Sequence, residues 1–216
     1  MGEIRRVEYL SGPLTESDLA ASPLAQFRVW LEEANAAGIE EPNAMAMASV
    51  DDAGQPHIRT LLCKEVTPEG LVFFTNYTSD KARQIEQNPQ VALCFHWQPM
   101  HRQVRVAGVA HRLPTEESDA YFASRPRPAQ LGAWSSPQSR VIPDRDYLRD
   151  RADAAEQRYP GEVPRPEHWG GYLVRPTQVE FWQGQPSRLH DRLRYTRRDE
   201  GTLDDPNAWR VERLAP

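Results

Sequence analysis

Apolar positions recur at helical spacing just after residue 20. Leu24, Phe27, Leu31 and Ala34 line one face. Ser22 and Pro23 precede them as an N-cap and a first-turn proline, and Gly38 ends the stretch. The pattern then predicts strands over residues 44–50 and 57–66, joined by the turn Asp51-Asp52-Ala53-Gly54-Gln55-Pro56. Pro68-Glu69-Gly70 makes a second turn before a strand over 71–75. Ser79 is placed to cap a short helix that runs to about Gln87 and stops at Asn88-Pro89. Two further strands are expected over 91–97 and 103–112, then helices over 116–124 and 144–159 flanking a polar loop, 125–142. Strands over 172–175, 178–183, 193–197 and 209–213 complete the set. Residues 1–20 lack periodicity and read as a mobile arm before a single domain over 21–216. Consecutive strands with short turns predict a mainly β fold with peripheral helices, an antiparallel barrel.

Composition narrows the function. The 216 residues carry 26 basic and 31 acidic side chains, a net charge of -5. A general nucleic-acid binder would be basic, so anion binding must come from local clusters. No apolar run approaches a membrane span and no leader-like segment opens the chain, so a cytoplasmic protein is expected. Cys63 and Cys94 lie far apart in apolar runs, as buried free thiols would. The six histidines show no ligand spacing, and no metal is expected.

Three clusters carry candidate chemistry. The strand Arg59-Thr60-Leu61-Leu62-Cys63-Lys64 has cations near both ends. Phe73-Phe74-Thr75-Asn76 closes the next strand, and Ser79-Asp80-Lys81 opens a helix. A helix start offers free N–H groups, and Arg59, Lys81, Thr75 and Ser79 complete a cradle for a phosphate dianion. The same residues would equally suit a basic hairpin and an ordinary capped helix. Tyr121 and Arg125 sit four apart at a helix end and face the same way. With Lys64 they can hold a second phosphate; alternatively Arg125 caps its own helix. Arg188, His190 and Arg192 alternate, so an extended backbone would aim all three at one anionic, planar ligand. A solvated basic strand is the competing account.

The runs Val179-Glu180-Phe181-Trp182-Gln183-Gly184, Arg188-Leu189-His190-Asp191-Arg192 and Arg213-Leu214-Ala215-Pro216 resemble the C-terminal signature of the pyridoxine/pyridoxamine 5'-phosphate oxidases. These are FMN enzymes that make pyridoxal 5'-phosphate. The resemblance extends back, in order, to about Pro42. It implies the FMN-binding split-barrel fold and a homodimer with shared active sites, in which residues 170–216 serve dimerisation and substrate binding. It implies FMN contacts from Arg59, Thr60, Leu61, Leu62, Lys64, Phe74, Thr75, Lys81 and Gln103. It further implies that Gln138, Ser139, Trp182 and Arg192 reach the flavin from the other subunit. Lys64, Tyr121 and Arg125 would bind the substrate phosphate, and Arg188 and His190 would act as substrate-binding catalytic residues over its pyridine ring. The implied reaction is oxidation of pyridoxine or pyridoxamine 5'-phosphate by oxygen, releasing hydrogen peroxide.

Two positions depart from the family pattern. Asp80 stands where a basic residue is usual, which predicts weaker FMN retention, and Ala129 stands where a serine is common. Arg6 and Tyr9 resemble the family's N-terminal substrate contacts. The rival assignments are a phenazine-type flavin oxidase, which shares this C-terminal end but not the phosphate set, and a non-catalytic flavin- or haem-binding split barrel.

Overall fold

The computed structural model of the protein describes residues 8, 9 and 11–216. Nine antiparallel strands form one curled sheet, and five helices pack around it. The strands are β1 (Ala44–Val50), β2 (Pro56–Leu62), β3 (Glu65–Val66), β4 (Leu71–Asn76), β5 (Gln90–Trp97), β6 (Arg102–Arg112), β7 (Trp169–Gln183), β8 (Asp191–Arg197) and β9 (Trp209–Arg213). The helices are α1 (Pro23–Ala36), α2 (Asp80–Gln87), α3 (Thr115–Ser124), α4 (Arg127–Ser135) and α5 (Asp146–Arg158). The sheet runs β2-β1-β5-β6-β7-β4-β3, with β8 on β7 and β9 on β8. This is the mainly β split barrel expected.

The core follows the period-two pattern. Met45, Met47, Leu93, Phe95, Val104, Phe181 and Leu193 point inward and are buried. α1 starts where expected, with Ser22 Oγ accepting from the Ala25 N–H at 3.2 Å. It seals one mouth of the barrel, where Phe27 meets Phe95 edge-on at 4.9 Å and Trp30 meets Phe181 at 5.2 Å. Trp30 joins the buried face while Leu31, expected there, is half-buried. Cys63 is buried, and Cys94 is only half-buried on the outer face.

Two expectations about elements are corrected. The polar loop over 125–142 contains α4, because Pro128 falls in its first turn, where a missing N–H does no harm. Leu131 and Ser135, one turn apart, anchor it in a second small core with Phe122, Ala155, Val163 and Trp169. The two strands expected over 172–183 are one, β7. One edge of β7 pairs with β6 from Tyr172 to Gln183; its other edge pairs with β4 over Trp169–Val174 and with β8 over Gln178–Gln183. Pro176, which has no N–H to donate, sits at that change of partner. A bulge lies opposite, between Ala107 and Gly108. Gly108 allows the approach, since a Cβ there would lie 2.5 Å from the Arg175 carbonyl oxygen.

Residues 11–20 pack on the barrel. Leu14 is buried, its N–H donates to Asp191 Oδ2 at 3.0 Å, and Arg213 clasps the Glu16 carboxylate at 2.9 Å. Among the described residues no helix is long and apolar enough to cross a membrane.

Candidate active site

β2, β4 and α2 converge as the sequence suggests. The Arg59 guanidinium turns under α2 and donates to Ser49 Oγ at 2.6 Å, Gln84 Oε1 at 2.9 Å and the Met47 carbonyl at 3.2 Å. Lys81, buried in the first turn of α2, donates to Gln138 Oε1 at 2.7 Å and to Thr75 Oγ1 and Ser79 Oγ at 3.2 Å. Burial, reinforced by the Arg59 charge, pushes the Lys81 amine down to about 8. Ser79 stands at the N-cap, but its hydroxyl bonds back to the Asn76 carbonyl at 2.7 Å instead of capping the helix. Asp80 turns outward to pair with Arg83, and its backbone N–H donates to Ser139 Oγ at 3.2 Å.

Of these, Thr75, Lys81 and Gln138 line an open cavity of about 570 Å³ that also takes in Leu61, Leu62, Lys64, Phe74, Tyr121, Arg125, Ala129 and Trp169. The Phe74, Tyr121 and Trp169 rings are nearly parallel, with Phe74 and Tyr121 centroids 3.8 Å apart. The Arg125 guanidinium lies 4.5 Å over Trp169, and its Nη1 is buried without a hydrogen-bond partner. Among the described residues, Arg59, Lys64, Lys81 and Arg125 have no carboxylate partner. Three unneutralised cations, Lys64, Lys81 and Arg125, line one cavity, and Arg59 stands near Lys81 under α2. Lys81 and Arg59 donate only to neutral oxygens, and the set fits an anionic guest. Ala129 presents a methyl where a hydroxyl would add a donor. Thr60 lies on the outward side of β2, opposite Ala46.

A second cluster forms on the outer face of the barrel. Strand register places Gln103 of β6 directly opposite Trp182 of β7, and Trp182 opposite Arg192 of β8. The neighbours of these three, Val104, Phe181 and Leu193, point into the core, so the row faces out. His190 packs on Trp182 at 4.7 Å between centroids. Its Nδ1 accepts the Gln185 N–H at 3.1 Å, which leaves the neutral ring's proton on Nε2. Partial burial and the Arg188 charge lower the His190 pKa. Tyr9 lies 4.3 Å from His101 and 5.7 Å from His190. Arg6 falls outside the described residues.

The expected alternation of Arg188, His190 and Arg192 on one extended face does not occur. Ser187 and Arg188 adopt left-handed backbone angles (φ 56° and 65°), and β8 begins only at Asp191. The grouping by chain also differs from what the resemblance implies. Gln138 and Ser139 meet Lys81 and Asp80 of their own chain, because α4 ends at Ser135 and delivers them there. Gln103 stands with Trp182 and Arg192. Glu180, to which sequence reasoning assigned no role, binds Arg192 through both carboxylate oxygens, at 2.8 and 3.2 Å. Its burial arises from strand pairing, so no local signal in the sequence marks it.

A split barrel with a cation-lined cavity and an outward row of Gln103, Trp182 and Arg192 is the architecture of the FMN-binding split-barrel class. Residues 31–159 match the family model described as pyridoxamine 5'-phosphate oxidase. Residues 169–216 match the pyridoxine 5'-phosphate oxidase C-terminal dimerisation region. A pyridoxine/pyridoxamine 5'-phosphate oxidase from Salinibacter ruber is 50% identical, covering 98% of this chain and 97% of that protein. One of the same name from Burkholderia lata is 48% identical, over 98% and 97%. The crystal structure of PhzG from Burkholderia lata 383, in complex with tetrahydrophenazine-1-carboxylic acid, superposes with a TM-score of 0.85 at 29% identity, covering 95% of this chain and 99% of that one. The chain belongs to the pyridoxine/pyridoxamine 5'-phosphate oxidase family.

Proposed function

We propose that this protein oxidises the C4' carbon of pyridoxine 5'-phosphate or pyridoxamine 5'-phosphate to the aldehyde of pyridoxal 5'-phosphate. Oxygen is reduced to hydrogen peroxide; the amine substrate also consumes water and releases ammonia. The observation that carries the reading is the shared cavity. Lys64, Tyr121 and Arg125, with the unpartnered Arg125 Nη1, stand beside the separate Lys81–Thr75 cradle. Two anion positions on one cavity suit two phosphates, those of substrate and cofactor. Bound FMN supplies the two-electron acceptor. Arg59, Thr75, Lys81, Gln138 and Ser139 hold its phosphate end, and Gln103, Trp182 and Arg192 meet its ring. Lys64, Tyr121 and Arg125 anchor the substrate phosphate and so position the reacting carbon. Arg188 and His190 orient the pyridine ring. Held by Gln185, His190 keeps its proton at Nε2 and acts on the substrate as a hydrogen-bond donor.

A homodimer with shared sites is part of this reading. The dimerisation-region match over 169–216 supports it. So does the outer sheet face, where Ala46, Ala48, Ala92, Cys94 and Ala107 line a shallow, mostly apolar groove together with Arg105, Gln178 and Glu180, and Ile58 is 73% exposed. The two free thiols suit a reducing cytoplasm. The phenazine-type alternative is disfavoured by the paired relatives from Burkholderia lata: this chain is 48% identical to the one named for vitamin B6 phosphates and 29% to PhzG.

The test is aerobic turnover of pyridoxamine 5'-phosphate by FMN-supplemented protein, following pyridoxal 5'-phosphate by absorbance. Product that disappears in Lys64→Ala and Arg188→Ala is expected. Bound flavin with no product would discard the substrate assignment and favour the phenazine-type oxidase.

A further inference from the structure

Glu180 is the only buried carboxylate among the described residues, 6% exposed near the C-terminal end of β7. An acid in that position is costly unless it is paired. Register gives it Arg105 and Arg194 as cross-strand neighbours. Yet Arg194 turns away to Glu212, at 3.1 Å, and Arg105 offers one bond at 3.2 Å from a half-exposed side chain. The carboxylate instead grips the diagonal neighbour, Arg192, through Nε at 2.8 Å and Nη2 at 3.2 Å. The third nitrogen of that guanidinium, Nη1, donates to the Ala215 carbonyl at 2.9 Å. The Ala215 segment is itself fixed by the Leu214 N–H on the Arg192 carbonyl, at 2.9 Å. Arginine has five N–H groups. Three are claimed here, and among the described residues two have no partner. A planar fork held on two sides cannot rotate, so the free pair keeps one direction beside Trp182.

We propose that Glu180 is a positioning residue: its carboxylate, with the Ala215 carbonyl, presets the Arg192 guanidinium and thereby sets how tightly the protein retains FMN. This rests on the reading of Arg192 as a cofactor contact. Ordering the side chain before the ligand arrives removes that entropy loss from the binding step. A glutamine at 180 is isosteric but opposes an N–H donor to one Arg192 nitrogen and drops the charge. Aspartate would keep the charge and fall short by one methylene.

The experiment titrates apoprotein with FMN, reading flavin fluorescence quenching, for the wild type, Glu180→Gln, Arg192→Ala and the double variant. Apoprotein thermal midpoints are recorded alongside. Glu180→Gln is expected to raise the FMN Kd about tenfold, the loss of one charge-assisted hydrogen bond. In the Arg192→Ala background the same change should move Kd by less than about twofold. Deleting Ala215 and Pro216, which leaves β7 untouched, should weaken FMN several-fold without lowering the apoprotein midpoint as far as Glu180→Gln does. An unchanged Kd in Glu180→Gln overturns the proposal, as does an equal loss in both backgrounds, which would mark Glu180 as structural only. If Arg192→Ala itself retains FMN normally, the cofactor reading of Arg192 falls first and takes the proposal with it.

Discussion

On the proposed reading of Lys81 as an FMN contact, its burial sets protein stability against cofactor binding. Its ammonium is buried among two hydroxyls and an amide oxygen, with Arg59 adding repulsion and Asp80 some attraction. A fall from 10.5 to about 8 disfavours the charged form by roughly 3 kcal/mol, at about 1.36 kcal/mol per pH unit. The cavity mouth admits water, so about half of that is the working figure. The folded pKa lies below the unfolded one, so the unfolded chain binds more protons between pH 8 and 10.5. Apoprotein stability therefore rises with pH across that window and carries the full penalty below it. Lys81→Met should stabilise the apoprotein at pH 7 by about 1–2 kcal/mol, roughly 3–6 °C for a chain of this size. FMN binding should move the other way. Losing a charge-assisted bond to phosphate weakens the Kd by about ten- to a hundredfold. For the wild type, Kd should also weaken about tenfold from pH 7 to 9 as the amine deprotonates, and this slope should vanish in the variant. Thermal melts and FMN titrations at both pH values check the set. An apoprotein made less stable by Lys81→Met, or a pH slope that survives it, would refute the reasoning.

Two further outcomes follow from the same cavity. Asp80→Arg places a cation beside Arg59 and Lys81 and should tighten FMN about two- to fivefold, while loss of the Arg83 pair and of an acid in the first turn of α2 slightly lowers the apoprotein midpoint. Unchanged or weaker FMN retention would end the Asp80 argument. Trp169→Phe keeps an aromatic ring in the stack but weakens the cation–π seat of Arg125, so KM for pyridoxamine 5'-phosphate should rise about two- to fivefold with kcat nearly constant. A fall in kcat at unchanged KM would show that the stack serves the reacting end instead.

Much of this was legible because local rules and tertiary structure agree. Ser22-Pro23 capped α1, and Asn88-Pro89 ended α2. The alternation around Val104 and Phe181 marked the inward faces. The phosphate cradle was readable because it is built from a strand end and a helix start only a few residues apart, Thr75 to Lys81. What depends on pairing was not readable. Gln103, Trp182 and Arg192 become neighbours only through the registers of β6, β7 and β8. Glu180 occupies an outward position that would ordinarily be solvated, and nothing local shows that Arg192 covers it. The polar stretch over 125–142 read as a loop, although it holds α4, with a proline in the first turn where a helix tolerates one. The left-handed residues Ser187 and Arg188 are not glycines, so the alternation of cations around them misled.

β7 has one more consequence. It runs for 15 residues, with Trp169 at the cation-lined cavity and Trp182 in the outward row with Gln103 and Arg192. Thirteen steps of about 3.3 Å separate them by up to roughly 43 Å along the strand. The phosphate-side cavity and the Gln103–Trp182–Arg192 row of one chain thus lie toward opposite ends of the same strand. On the shared-site reading, each copy lends its cavity to one flavin and its row to another. Two dead proteins can then make a live one. A chain lacking Lys81 and a chain lacking Arg192, mixed and reassembled, form hybrids in which one site inherits both defects and the other inherits neither.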